Sequence, residues 1–107
     1  MKYTIEITEA AQRDFESIYL YISDNLCNKQ AASRLISLMD KNIKSLADMP
    51  ERFPLVNDEY LRGLGIRCIT VKNYIVFYMV DISEQKVFVV RVLYGRRNWI
   101  DILGNDI

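Results

Sequence analysis

The chain contains no histidine. That absence removes every mechanism that needs an imidazole as base, acid, nucleophile or metal ligand. Cysteine is nearly absent as well. Cys27 and Cys68 fall in different predicted elements and lack metal-ligand spacing, which fits a reduced intracellular protein. There is no excess of charge of either sign, so no bulk attraction to nucleic acid or to a membrane surface is implied. No apolar run approaches the ~18–20 residues of a membrane span. The opening MKYTIE has no signal-type apolar stretch, and the expected location is the cytoplasm. Glycines are few. Gly63 and Gly65 lack the third glycine and the following helix of a dinucleotide fold. No Gly-x-Ser-x-Gly turn and no acidic cluster with calcium spacing occurs, so neither a metal nor another cofactor is expected.

What remains describes a globular protein. At 107 residues, half of them hydrophobic, the chain is expected to form one domain over 1–107 with an ordinary core. The charges are unevenly placed. Residues 1–60 hold seven Lys/Arg against ten Asp/Glu, and residues 61–107 hold seven against four. The C-terminal half therefore carries a modest positive field.

Periodicity supplies the elements. KYTIEI (2–7) alternates polar and apolar residues and reads as a short strand. Thr8 is a good N-cap. From Glu9 to about Leu26, Ala11, Phe15, Ile18, Ile22 and Leu26 fall on one helical face. A second helix is expected from Lys29 to about Met49 on Ala32, Leu35, Met39, Ile43 and Leu46. The short connection favours an antiparallel helix hairpin. Pro50 ends that helix, and a long loop follows to about Leu64. Ile66–Val71, Tyr74–Val80 and Lys86–Tyr94 are apolar, β-branched and aromatic runs divided by Lys72-Asn73 and by 81–85, so they read as three strands. Arg97–Leu103 is a possible short helix, with Trp99, Ile100 and Leu103 docked back on the body. The order β-α-α-β-β-β defines an α+β fold in which a helix hairpin covers one face of a mostly antiparallel sheet.

Basic residues interrupt the apolar strands, and charge inside a sheet is costly unless paired or solvated. Strict alternation on the last strand puts Lys86, Phe88, Val90, Val92, Tyr94 and Arg96 on one face and Val87, Val89, Arg91, Leu93 and Gly95 on the other. Arg91 then needs either a carboxylate such as Asp81 or Glu6, or an anionic ligand. Arg96-Arg97, with Tyr94 and Trp99 nearby, is a basic pair beside aromatics, able to fork phosphate oxygens or simply to solubilise a strand end. Arg67 opens the first of the three strands and could lie beside them.

These elements together resemble the RelE/ParE superfamily of bacterial type II toxin–antitoxin systems, known also from plasmid stabilisation. The resemblance runs through YTIEIT into Ala10-Ala11-Gln12-Arg13-Asp14-Phe15, the helix pair, and the loop Pro50-Glu51-Arg52-Phe53-Pro54. It continues through Ile66-Arg67-Cys68-Ile69, Tyr74 to Asp81, and Val89 to Asn98. It implies a toxin neutralised by an antitoxin that wraps around it, and either DNA gyrase or ribosome-bound mRNA as target. The ribonuclease branch usually carries Arg where this chain has Ile75. It also has a Lys-rich strand where this chain has Arg67, Cys68, Ile69 and Thr70, and often a catalytic Tyr or His in a tail that here reads Trp99-Ile100-Asp101-Ile102-Leu103. Tyr94-Gly95-Arg96-Arg97-Asn98 looks more like the gyrase-poisoning branch. The resemblance thus implies a non-enzymatic gyrase inhibitor with Arg67, Arg91, Tyr94, Arg96, Arg97 and Trp99 as target contacts. The antitoxin would sit on the helix hairpin and the exposed sheet edge, in a homodimer or a heterotetramer. Two alternatives remain: an mRNA endonuclease using Arg67, Arg91 and Arg96 for charge stabilisation, or a degenerate, non-toxic member.

Overall fold

The computed structural model describes residues 2–106. Strand β1 (Thr4–Ile7) leads into helix α1 (Glu9–Leu20). Thr8 caps α1 by accepting from the Ala11 amide at 3.2 Å. The helical path continues to Asn25, but its last turn is a wider π turn over Tyr21–Asn25, where the Leu26 amide reaches back to the Tyr21 carbonyl. Cys27, at φ 54°, reverses the chain. Asn28 then caps helix α2 (Lys29–Lys44), which tightens into a 3-10 turn at Ser45–Ala47. The expected second helix therefore ends a few residues early. The long loop contains a short helix, α3 (Glu59–Gly63), capped by Asp58. Strands β2 (Arg67–Val71), β3 (Tyr74–Asp81) and β4 (Lys86–Tyr94) follow, and α4 (Trp99–Asp106) closes the chain.

The sheet has four strands in the order β1-β4-β3-β2. β2, β3 and β4 form an antiparallel meander, and β1 joins β4 in parallel through Thr4–Ile7 opposite Lys86–Val89. Both hairpins turn on residues with positive φ. Lys72 takes 56° and Gln85 takes 54°, a strained choice for side chains that glycine or asparagine would relieve.

Each face of the sheet carries its own core. One is the expected hairpin face, where Ala11, Met39, Ile43 and Leu46 pack on Ile69, Val76, Tyr78, Val87, Val89 and Val92. The sequence implied no cover for the opposite face beyond the docked C-terminal segment. Instead Phe77 and Leu93 are buried under Val56, Leu61, Ile66 and Leu103, contributed by the long loop, α3 and α4. Trp99 lies against Phe77 with ring centroids 5.3 Å apart, while Ile100, expected to dock, is exposed. Stripes of two or three apolar residues on very short helices are enough to cover a narrow sheet face.

A β-bulge between Val89 and Arg91 overturns the strict alternation of β4. Tyr78 pairs with Val89 but Phe77 pairs with Arg91, so Val90 is an extra residue. Val92 therefore joins Val87 and Val89 on the hairpin face, and Val90 packs with Leu93 on the other. Such a bulge bends the strand and increases its twist.

Candidate functional site

β1 ends at Ile7, opposite Val89, so the bulged half of β4 pairs with β3 on one side and has no strand on the other. Helix α1 covers that edge with side chains. The Thr8 hydroxyl donates to the Val90 carbonyl at 3.1 Å. The Asp14 carboxylate accepts from the Val92 amide at 2.9 Å. The same carboxylate takes the Arg91 guanidinium in a fork, at 2.6 Å from Nε and 2.9 Å from Nη2. Both side chains are largely buried, at 15% and 12% exposure. Arg91 thus has the carboxylate partner that a mid-strand arginine requires. It comes from α1 and not from Asp81, which binds its own turn at Ser83 and Glu84, or from Glu6, which pairs with Lys86.

Arg67 is engaged too. Its Nη1 donates to the carbonyls of Phe53 and Glu51 at 2.7 and 3.2 Å, and Nη2 meets the Glu51 carboxylate at 3.4 Å. Beside it the buried Tyr78 hydroxyl donates to the Pro50 carbonyl at 2.7 Å. Burial pushes the Tyr78 phenol up to about 12. Arg52 stacks on Phe53 and reaches Ser45. Arg67 thereby pins the 50–54 loop. It also stands at the end of β2 away from Val71, and Val71 is the residue that neighbours Tyr74 and hence Tyr94.

The six expected contact residues are therefore not gathered on one surface. Arg67 and Arg91 are held internally at separate places. Trp99 is half-buried against Phe77. Tyr94, the last residue of β4, and Arg96 and Arg97 in the turn just after it are exposed, and neither guanidinium of the doublet has a hydrogen bond or ion pair among the described residues. Tyr94 meets Tyr74 edge to face at 5.6 Å. The Tyr74 phenol is raised by burial first and then by the neighbouring Tyr21 and Tyr94. Gly95 is tied to the β2–β3 turn by its amide, 2.8 Å from the Asn73 carbonyl. A Cβ on Gly95 would come within 3.2 Å of that same oxygen, so the doublet is presented from a close backbone contact.

Next to this end lies a groove of about 1140 Å³ between the helix hairpin and the sheet. Ile18, Ile22, Leu26, Leu35 and Leu38 form its helical wall, and Tyr74, Val92 and Tyr94 its sheet wall. The π turn at the end of α1 contributes Tyr21 and Ile22; such turns widen a helix where a site needs room. Arg34, Lys72 and Arg97 stand round the groove. Arg34 and Lys72 were not among the residues marked from sequence. Arg34 does lie one position before Leu35 of the α2 stripe, which was a usable signal. Lys72 is one of the basic residues that interrupt the C-terminal strands, and that was its only signal. Among the described residues no group of three or more His, Cys, Asp and Glu could hold a metal.

The fold and this surface define a class: a small helix-backed platform that presents a basic strand end beside an apolar groove. The sequence model of a family described as "ParE toxin of type II toxin-antitoxin system, parDE" matches residues 5–99, and the chain belongs to that family. It is the toxin component of a type II toxin–antitoxin system. No curated protein matches it at a significant level. Among solved structures it resembles the chromosomal ParDE system of P. aeruginosa, with TM-score 0.71, 14% identity, and 87% of this chain and 96% of that one covered. A RelE mutant of E. coli in the free state superposes with TM-score 0.66 at 16% identity, over 100% of both chains. The RelBE2 toxin–antitoxin complex of Mycobacterium tuberculosis gives TM-score 0.61 at 18% identity, covering 88% and 99%. At these identities the structures establish the shared α+β fold.

Proposed function

We propose that the chain acts as a gyrase poison of the ParE kind, working by binding and without proton chemistry of its own, and that an antitoxin holds it inactive in the cytoplasm. The observation that carries this reading is the Tyr94-Gly95-Arg96-Arg97 end of β4. Its two guanidiniums are solvent-exposed and unpaired among the described residues, on a backbone fixed through Gly95 and Asn73. Guanidinium forks suit carboxylate or phosphate groups on a macromolecule. A ribonuclease would need a group to take the proton from the attacking 2′-hydroxyl. The chain has no histidine, and its most perturbed phenol, Tyr78, is buried and donates to a carbonyl. Arg67 and Arg91 serve the platform in this reading, as props of the loop and of the β4 edge, and Trp99 packs on Phe77 in the second core.

The test sets two purified assays side by side: DNA supercoiling by gyrase, and cleavage of mRNA on programmed ribosomes. The expected result is inhibited supercoiling with intact mRNA. Cleaved mRNA with unimpaired gyrase would transfer the chain to the ribonuclease branch.

A further inference from the structure

The β2–β3 turn consists of Lys72 and Asn73, between the paired Val71 and Tyr74. Of the two, only Lys72 takes a positive φ, 56°, at the first central position, where glycine is the relaxed choice. Cys27 and Gln85 share such a φ, so the strain alone says little. What sets Lys72 apart is its company. It is exposed and has no hydrogen bond or ion pair among the described residues.

The β3–β4 ladder runs one step past Tyr74 and Tyr94, through the Gly95 amide on the Asn73 carbonyl. The chain then turns, with the Arg97 amide 3.0 Å from the Tyr94 carbonyl. Turn and doublet thus meet at one end of the sheet. Lys72, Asn73 and Tyr94 line both the large groove and a smaller hollow of about 210 Å³ beside it. Arg97 completes the lining on the groove side and Arg96 on the other. Lys72 is therefore the cation common to the surfaces that the two arginines border. Among the described residues Asp14 is the one carboxylate lining either space, and its oxygens are taken by Arg91 and the Val92 amide. Lys2, Arg13, Lys44 and Lys86, by contrast, all pair with carboxylates. Three like charges without an offsetting anion repel one another, and a bound anion relieves that repulsion.

The lining also says which anion. The smaller hollow joins Thr70 and Asn73 to Lys72 and Arg96, with Ile75 its one aliphatic residue. Protein partners are held chiefly by buried apolar and aromatic anchors, whereas nucleic-acid interfaces are more polar and more positive. Single-stranded nucleic acid would call for open rings on which bases stack. Here Tyr74 and Tyr94 pack edge to face on each other, and Trp99 lies against Phe77.

We propose that the Lys72 turn and the Arg96-Arg97 doublet form one phosphate-binding end of the sheet, that its ligand is the backbone of duplex DNA, and that Lys72 is its third cation. The proposal rests on the gyrase reading above, which brings the chain to an enzyme that handles DNA, and names what the doublet touches there.

Lys72→Asn removes the charge and suits the positive φ, so this variant is expected to melt no lower than the wild type. The probe is a fluorescent DNA duplex of about 20 base pairs, titrated at several salt concentrations below about 0.1 M. Wild type, Lys72→Asn and Lys29→Gln are compared, since Lys29 lines neither space. Lys72→Asn is expected to bind about fivefold more weakly at the lowest salt, and to reduce the slope of log K against log salt by about one, the loss of one phosphate contact. Lys29→Gln should change binding by less than about twofold. A loss for Lys72→Asn no greater than that for Lys29→Gln, or an unchanged slope, would overturn the site. Tighter binding of a single-stranded RNA of the same length, or of a polyglutamate peptide, would overturn the choice of ligand. Supercoiling by gyrase reports separately on the reading beneath: inhibition without duplex binding rejects the phosphate site alone, and duplex binding without inhibition rejects gyrase alone.

Discussion

At the scale of single residues, the structure spends its arginines in two ways, and the difference is whether a carbonyl or carboxylate lies within reach. Arg67 finds Phe53 and Glu51, Arg91 finds Asp14, and both become part of the scaffold. Arg96 and Arg97 find none among the described residues and stay available. Tyr78 shows how tightly the scaffold side is tuned. Its hydroxyl is buried and bonded to the Pro50 carbonyl, and its pKa rises from 10.0 to about 12, chiefly through burial. Tyr78→Phe leaves that carbonyl without its donor and is expected to cost about 1–2 kcal/mol. The neutral phenol's contribution is fully present below pH 10 and is lost as pH rises from 10 to about 12. Denaturant unfolding across that window should therefore show the gap between wild type and Tyr78→Phe closing as pH rises. A gap that stays constant would assign the alkaline sensitivity to other groups.

At the scale of elements, the bulged half of β4 explains why the site sits where it does. β1 is too short to pair with it, so α1 caps the edge through Thr8 and Asp14, and the groove opens just beyond. Removing one partner of a largely buried ion pair costs about 3–5 kcal/mol. Asp14→Ala is expected to lose stability near the low end of that range, since Asp14 keeps some solvent contact. Amide exchange should quicken at Val92 more than at Val76 in the sheet centre, whereas equal acceleration at both would mean the carboxylate does not act on the edge. Much of this level was legible in the sequence. The apolar stripes of α1 and α2, the cap at Thr8, and the three C-terminal strands follow from local periodicity and turn chemistry. The bulge at Val90 was not, because an extra residue in a run of valines leaves the pattern of residue types unchanged. Nor was Asp14 as the partner of Arg91, a contact 77 positions apart that only the packing of α1 on β4 creates. The covering of the second face was hidden for a related reason: α3 is five residues long, too short to display a helical period.

At the scale of the whole molecule, the acidic N-terminal half supplies the hairpin and the basic C-terminal half supplies the sheet that ends in the doublet. The backbone carrying the doublet is already tied to the β2–β3 turn through Gly95 and Asn73, so binding would cost mainly the ordering of its side chains. The ParE family model covers residues 5–99, so it takes in the groove and the doublet in one continuous match. The central claim is that this end of the sheet is what harms the cell. It is tested most directly by growth after induction of the wild type and of Arg96→Ala/Arg97→Ala at equal protein levels and with matching thermal melts. The account predicts that the wild type arrests growth and the double variant does not; arrest of equal strength by the variant would contradict it.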